Sequence, residues 1–208
     1  MNKYQIKIKL TPETKTFSMN IFDFDDTLVA ADHHPIYVTN ELTGLTRSLT
    51  KNEFLTYSKT PGEVCDFSSF DIIKSEHKIE PVWMLFLESL DKSKNATQTE
   101  HTHLTIVLSA RSKIEPIVSF LHEVEKVVPC HIVGISIEAG ENNGIHKSGW
   151  IRDLMAELES NNLEVPEINF YDDRDDNIIE VSVLHKEFPK TVFKIHKVDE
   201  GKIIPFSF

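Results

Sequence analysis

The chain has 208 residues, of which 40% are hydrophobic and 26% are charged. This length suits one domain, or one domain with an insert, and the composition excludes disordered, collagen-like and low-complexity chains. The net charge is −11, from 22 basic and 33 acidic residues, which excludes the broad basic surface that binds nucleic acid nonspecifically.

The apolar segments are too short for a membrane helix. The longest uninterrupted one, Val82–Leu87, has six residues, whereas a transmembrane helix needs about 20. The first ten residues contain neither the apolar stretch nor the cleavage site of a signal peptide. Cys65 and Cys130 lack the close spacing of a zinc or redox motif. These features predict a cytoplasmic protein with reduced cysteines and no membrane partner.

Short apolar segments alternate with helical ones along the chain. Alternating polar and apolar residues predict a half-exposed strand at Gln5–Leu10. The predicted buried strands are Ser18–Phe24, Leu104–Leu108, Ile132–Ile137, Ile168–Tyr171 and Val192–Ile195, and the predicted helices are Pro81–Lys92, Ser112–Lys126, Lys147–Glu159 and Asp175–Lys186. Because strands and helices alternate, the predicted fold class is α/β, with a Rossmann-like, mostly parallel sheet and helices on both faces.

One long segment interrupts this alternation. Residues 32–78 separate the first core strand from the next helix, and structureless loops of that length are rare in compact domains. The sequence therefore predicts a small cap insert at 32–78, with residues 1–31 and 79–208 forming the core domain. A second polar segment, Asn95–His103, is predicted to be a surface loop.

Two groups of carboxylates follow predicted strands. Asp23 and Asp25 lie at the end of the first core strand, where alternate residues point in the same direction, and Asp172 and Asp173 follow the strand at Ile168–Tyr171. Either group alone could be a solvated turn or the acidic start of a helix. Ligands of open α/β sheets bind at the carboxyl ends of the strands. Oxygen ligands without His or Cys suit Mg²⁺, so the two groups together predict a Mg²⁺ site.

Three further polar residues follow other predicted strands. Ser109 and Arg111 come after Leu104–Leu108 and offer a hydroxyl and a guanidinium that can bind phosphate oxygens. Lys147 begins the helix after the next strand. Taken singly, Ser109 could cap a helix and Lys147 could be an ordinary surface lysine. Their placement at strand-to-helix junctions makes all three candidates for the same site.

The histidines are a weaker indication of metal binding. The chain has ten of them, so neighbouring pairs arise by chance. His33 and His34 are adjacent, and one residue separates His101 from His103, without the ligand spacing of a zinc site. We therefore expect these four to be surface residues.

Four motifs stand in a fixed order along the chain. They are Asp23-Phe-Asp25-Asp26-Thr27, Ser109, Lys147 and Asp172-Asp173. This order resembles that of the haloacid dehalogenase (HAD) superfamily phosphatases, over residues 17–30 and 81–196. The spacing around the later motifs is similar in particular to the phosphatase domain of phage polynucleotide kinases and to the HAD domains of RNA-repair-like proteins.

The resemblance implies a phosphomonoesterase that works through an aspartyl-phosphate. Asp23 would be the nucleophile, and Asp25 would be the general acid and then the general base. Lys147 would offset negative charge, while Ser109 and Thr27 would donate hydrogen bonds to the phosphate oxygens.

The resemblance also implies Mg²⁺ as the cofactor, because an anionic nucleophile is repelled by a phosphate dianion unless a cation lies between them. The ligands would be Asp23, the backbone carbonyl of Asp25 and Asp172, with Asp173 as a further ligand or as a support for the others. Asp176 would steady Lys147 or a metal-bound water.

The resemblance favours a phosphorylated small molecule, a nucleotide or a polynucleotide phosphate end as the substrate. Arg111 suits the last two. Residues 31–80 carry five Lys or Arg against eight Asp or Glu, which would repel a long nucleic acid. Two alternatives stay open: a catalytically silent HAD-fold binding or regulatory protein, and a phosphotransferase or phosphomutase that passes phosphate from Asp23 to an acceptor other than water.

Overall fold

The computed structural model describes residues 15–31, 33–95, 101–125, 131–136 and 142–207. The strand predicted at Gln5–Leu10 and the residue Cys130 lie outside these ranges. The strands are β1 (Thr16–Phe22), β2 (Ile36–Asn40), β3 (Leu45–Leu49), β4 (Glu63–Asp66), β5 (His101–Ser109), β6 (His131–Gly134), β7 (Glu164–Asp172), β8 (Val192–Asp199) and β9 (Lys202–Phe206). The helices are α1 (Lys51–Leu55), α2 (Glu80–Asn95), α3 (Glu115–Glu125), α4 (Asn143–Ser160), α5 (Asp175–Ser182) and α6 (Leu184–Glu187).

The centre of the fold is a six-stranded sheet with the strand order β6-β5-β1-β7-β8-β9. β1 pairs in parallel with both β5 and β7, and only the edge strand β9 of this sheet pairs antiparallel, with β8. After β1 the chain continues on one side of it, through β5 and β6, and then returns to β7 on the other side. The boundary between β1 and β7 is therefore the topological switch point, where α/β sheets bind ligands.

Apolar helices cover both faces of this sheet. On one face, α4 and α5 pack Ile151, Met155 and Ile178 against the strands. On the other face, α2 and α3 contribute Phe86 and Phe120. The predicted α/β fold class, mostly parallel with helices on both faces, is therefore confirmed. Among the described residues, no helix is long and apolar enough to cross a membrane.

A second, smaller sheet lies within the segment predicted to be a cap insert. Its three antiparallel strands have the order β3-β2-β4. The helix α1 follows β3 and begins at a capping box, in which Thr50 accepts a hydrogen bond from the Glu53 amide and the Glu53 carboxylate accepts one from the Thr50 amide. The boundaries of the insert at residues 32 and 78 stay a prediction.

Some predicted boundaries were wrong. β5 begins at His101, so residues 101–103 belong to a strand and not to a surface loop. His103 fits there because Ser18 and Ser89 form hydrogen bonds with its two ring nitrogens, at 2.8 and 3.0 Å. The helix α3 begins at Glu115, three residues after the predicted start.

The partly buried His103 ring should make the stability depend on pH. The pKa of His103 is lowered from 6.5 to about 4, mainly because the ring is buried and next because the Lys92 charge is nearby. Between these two values the unfolded chain binds a proton that the folded protein does not bind, so the free energy of unfolding falls as the pH falls from 6.5 to 4. After allowance for solvent screening, we expect a loss of about 1–2 kcal/mol.

Urea unfolding at a series of pH values measures this loss, and the variant His103→Gln should lose less stability than the wild type over the same range. The variant His122→Gln, which changes an exposed histidine of α3, should follow the wild-type curve. Equal curves for all three proteins would contradict the assignment to His103.

Candidate active site

Two carboxylates meet at the switch point because β1 and β7 end side by side. Phe22 of β1 pairs with Tyr171 of β7, so that Asp23 and Asp172 are the next residues on neighbouring strands. The Asp23 amide donates a hydrogen bond to the Tyr171 carbonyl at 2.9 Å, which continues the strand pairing past Phe22. Both side chains are buried, with exposed fractions of 6% for Asp23 and 0% for Asp172.

Asp173 completes a group of three carboxylates. One oxygen from each of Asp23, Asp172 and Asp173 lies within 4.8 Å of the others. This set consists of hard oxygen donors, which are the ligands that Mg²⁺ prefers, so the residues fit the predicted cofactor. The Asp25 carboxylate does not belong to this group.

Lys147 lies between two of these carboxylates. Its ammonium Nζ is 2.7 Å from Asp23 Oδ1 and 2.7 Å from Asp172 Oδ2, and the residue is 1% exposed. It reaches them from α4, whose start is capped by the Asn142 side chain. A Cβ atom at Gly144 would lie 2.4 Å from the Asp176 carbonyl oxygen. Because Gly144 has no side chain, α4 can approach α5 closely, and this position of α4 places Lys147 beside Asp23 and Asp172.

Burial and charge act in opposite directions on these groups. Burial raises the pKa of Asp23 well above its usual range, although Lys147 lowers it. The pKa of Asp173 is also raised, mainly by burial and next by the negative charge of Asp172. Burial lowers the pKa of Lys147, but Asp172 and Asp23 together raise it above its usual value. Lys147 is therefore charged, and the carboxylates are stabilised when a further cation binds.

Asp172 has two more partners, which fix its second oxygen. Its Oδ1 accepts a hydrogen bond from Asn177 Nδ2 at 2.8 Å and another from the Arg174 amide at 3.0 Å. Asn177 was not predicted as a site residue, and its only indication in the sequence is a polar residue five positions after Asp172, in the first turn of α5. Asp176 pairs with the Arg174 guanidinium, whereas the prediction was that it steadies Lys147 or a metal-bound water.

Asp25 is held by Arg111. The guanidinium donates two parallel hydrogen bonds, from Nε to Oδ2 at 2.8 Å and from Nη2 to Oδ1 at 2.6 Å. Its third nitrogen, Nη1, donates to the Phe70 carbonyl at 2.6 Å. Arg111 therefore connects Asp25 to a segment of the predicted insert.

The two predicted hydroxyl donors are both fully buried. The Thr27 hydroxyl has no hydrogen-bond partner among the residues that the structure describes. Ser109 Oγ accepts a hydrogen bond from the Arg111 amide at 3.2 Å, which leaves its own proton available for a ligand. A buried hydroxyl without a partner costs free energy, so Thr27 is suited to binding an acceptor such as a phosphate oxygen.

Asp26 has a backbone conformation that is uncommon for residues other than glycine. Its φ is +60°, in the left-handed region that glycine adopts freely and aspartate tolerates better than most residues. Asp26 compensates for this conformation through its side chain, which accepts a hydrogen bond from the Ala31 amide at 2.6 Å. It also pairs with Lys51.

Lys51 is a site residue that the sequence analysis missed. It is the first residue of α1, and its Nζ contacts Asp26 and lies 2.8 Å from Asp173 Oδ2. Burial lowers the pKa of Lys51, but the Asp173 and Asp26 carboxylates raise it above its usual value. The contact with Asp173 spans 122 residues of sequence, so no local pattern could have indicated it.

Comparison with known proteins leaves the function open. No family model matches the chain, and no curated protein matches it. Among solved structures, it is similar to the HAD domain of the effector protein Lem4 from Legionella pneumophila, with 16% sequence identity, coverage of 90% of this chain and 89% of that one, and a TM-score of 0.48.

Proposed function

We propose that the protein is a Mg²⁺-dependent phosphomonoesterase of the HAD type, in which Asp23 forms an aspartyl-phosphate. The observation that carries this proposal is the buried arrangement of Asp23, Lys147 and Asp172 at the switch point of the sheet. Burying two carboxylates and an ammonium group costs free energy, and apolar residues of similar size would stabilise the fold equally well. Such an arrangement is typical of an active site.

The reaction would proceed in two displacements on phosphorus. A carboxylate oxygen of Asp23 attacks, the phosphorus–oxygen ester bond breaks, and the leaving oxygen takes a proton from Asp25. Water then attacks the aspartyl-phosphate, gives its proton to Asp25, and releases inorganic phosphate from Asp23. Both carboxyl groups return to their starting states.

The cofactor site would be formed by Asp23, Asp172, Asp173 and the backbone carbonyl of Asp25. Mg²⁺ bound there would neutralise the repulsion between an anionic nucleophile and the phosphate dianion. The raised pKa of Asp23 supports this requirement, because burial favours the protonated acid and only nearby positive charge favours the carboxylate that attacks. Lys147 supplies one such charge.

The remaining residues would bind and orient the reacting groups. The paired hydrogen bonds from Arg111 hold the Asp25 carboxylate in one orientation. The buried Thr27 and Ser109 hydroxyls would donate to the phosphate oxygens, and hydrogen bonds of this kind strengthen as charge develops in the transition state.

For the substrate, we propose a nucleotide or a polynucleotide phosphate end in preference to other small phosphorylated molecules. A row of aromatic rings in the predicted insert supports this choice, with ring centroids 5.4 Å apart for Phe54 and Phe67, and 6.2 Å apart for Phe67 and Phe70. Phe67 is 45% exposed, and Phe70 lies 5.7 Å from the Arg111 guanidinium. Exposed rings beside a phosphate site are suited to stacking with a base.

The experiment that tests this function is phosphate release from a panel of phosphomonoesters. The panel includes nucleotides, sugar phosphates and oligonucleotides with 3′- or 5′-phosphates, each with Mg²⁺ and with EDTA. We expect release that requires Mg²⁺ and is fastest with a nucleotide or an oligonucleotide end. Release unaffected by EDTA would contradict the metal requirement. No release from folded protein would favour a phosphotransferase or a binding protein.

Lys51 should matter for activity although it lies in the predicted insert. We expect Lys51→Met to lower kcat/KM by about 10–100-fold, because this side chain is the ionic contact between α1 and the acidic cluster, and small displacements of a positioning element are costly. The matched control is Lys59→Met, which changes an exposed lysine of the same segment and should leave kcat/KM unchanged. Equal kcat/KM values for the two variants would show that α1 does not assist the site.

A further inference from the structure

The two chain segments that connect the predicted insert to the core each carry histidine. His33 and His34 precede β2, and His77 precedes α2. These segments run side by side, since the Ala30 amide donates to the His77 carbonyl at 2.8 Å and Val29 forms an antiparallel bridge with Lys78. The pairing brings residues that are more than 40 positions apart in sequence into one cluster.

The three imidazole rings of this histidine cluster lie close together. One ring nitrogen from each of His33, His34 and His77 lies within 4.8 Å of the others. The ring centroid of His33 lies 3.9 Å from that of His34 and 4.0 Å from that of His77. His34 is 8% exposed, so the expectation that it is a surface residue was wrong. His77 Nδ1 is buried and has no hydrogen-bond partner among the described residues.

We propose that His33, His34 and His77 form a binding site for a divalent transition metal, with Zn²⁺ as the most suitable ion. Neutral imidazole is a preferred ligand of Zn²⁺, and tetrahedral coordination at the usual Zn–N distance places ligand nitrogens roughly 3.4 Å apart. The nitrogens of the cluster lie within 4.8 Å of one another and His33 is exposed, so a shift of its side chain on ion binding would bring them to that spacing. The oxygen donors of the Asp23 group suit Mg²⁺ instead, which separates the two sites chemically.

The surroundings of the cluster leave room for a fourth ligand. A cavity of about 370 Å³ is lined by His33 and His34 together with Thr50 and Glu53, and it can admit a water molecule to the ion. Glu76 Oε1 lies 3.8 Å from His77 Nε2 and contributes negative charge beside the cluster. Three protein ligands and one open position form a complete tetrahedral site.

A metal at this position would fasten the start of the insert to its end. It would also be connected with the candidate active site, because the His34 ring lies 5.2 Å from the ring of Phe70, whose carbonyl accepts a hydrogen bond from Arg111. Arg111 in turn holds Asp25. The proposed metal site does not depend on the proposed phosphatase activity, but it lies next to residues of the candidate active site.

The test is Zn²⁺ binding to the full chain without an affinity tag, measured by calorimetry in millimolar Mg²⁺ that saturates the carboxylate site. We expect one Zn²⁺ per chain, with an affinity at least about 10–100-fold weaker in His33→Gln and in His77→Gln. Loss of a residue that only supports a metal ligand weakens metal binding by about this factor, so loss of a ligand itself should weaken it at least as much. His33 is exposed, so its substitution leaves the fold intact. The control His122→Gln should bind like the wild type. We also expect Zn²⁺ to raise the Tm of the wild type and not that of His77→Gln.

Three results would overturn the proposal. The first is the absence of saturable Zn²⁺ binding to the wild type in Mg²⁺, and the second is unchanged affinity in His33→Gln and His77→Gln. Loss of Zn²⁺ binding in Asp172→Asn, with binding retained in the histidine variants, would assign the ion to the carboxylate group and would also overturn it. Phosphatase activity is not used in this experiment, so its failure is distinct from a failure of the proposed function.

Discussion

Replacement of Asp23 by Asn is expected to lower the rate of Mg²⁺-dependent phosphate release by about 10⁴-fold or more, the scale on which removal of a nucleophile acts. The amide has nearly the same shape as the carboxylate, but it cannot form the aspartyl-phosphate. The fold should be retained, because Lys147 keeps its 2.7 Å contact with Asp172 and Asn177 keeps the other oxygen of that carboxylate paired.

Steady-state phosphate release with the preferred substrate measures this loss. Asp153→Asn is the matched control, since it makes the same chemical change at an exposed position of α4 and should leave the rate unchanged. Acid quenching of the wild type during turnover should yield a phosphorylated peptide that contains Asp23. A rate for Asp23→Asn within tenfold of the wild type, without a phosphorylated peptide, would exclude Asp23 as the nucleophile.

Replacement of Lys147 by Met is expected to have the second largest effect, on stability and activity together. The variant leaves two buried carboxylates, Asp23 and Asp172, without their shared ammonium group. Breaking a buried ion pair in this way typically costs about 3–5 kcal/mol. We expect a loss of this size in the free energy of unfolding in EDTA, and a fall in phosphate release of about 10²–10³-fold, the scale on which a preorganised charge acts.

Urea unfolding with EDTA and with Mg²⁺ separates the possible causes. Mg²⁺ should restore part of the lost stability, because an ion bound to the folded state offsets the same negative charge. The loss should also grow as the pH rises, since burial raises the pKa of Asp23, so the folded variant binds more protons than the unfolded chain does.

The matched control for Lys147→Met is Lys197→Met. Lys197 also lies 2.7 Å from a carboxylate, that of Asp175, but this pair is on the surface, with exposed fractions of 29% and 73%. Its removal should change the free energy of unfolding by no more than about 1 kcal/mol. A Lys147→Met variant as stable in EDTA as Lys197→Met would show that the buried carboxylates are neutral in the folded protein.

Much of the fold follows from local patterns in the sequence. The alternation of short β-branched segments with helical ones was enough to predict a mostly parallel α/β sheet, because burial on both faces requires apolar strands and amphipathic helices in turn. The antiparallel edge strand β9 was not predicted, since Lys202–Phe206 is short and mostly exposed and gains its order from pairing with β8.

The meeting of Asp23 and Asp172 also follows from local patterns. Asp23 and Asp172 each follow a strand end, and the carboxyl ends of parallel strands lie at the same edge of a sheet, so adjacency of β1 and β7 was the only further condition. Lys147 could be chosen because it was predicted to begin a helix after a strand, although α4 begins at Asn143 and Lys147 lies in its second turn. These inferences depend on positions within single elements.

The contacts that join distant segments depend on the packing of the whole chain. Lys51 reaches Asp173 across 122 residues, Arg111 reaches Asp25 across 86, and His77 meets His33 and His34 through pairing of the two insert connections. Local sequence patterns report how one segment buries its own apolar side. They contain no information on which polar side chains from two segments will come within hydrogen-bonding distance, because that depends on how whole elements pack.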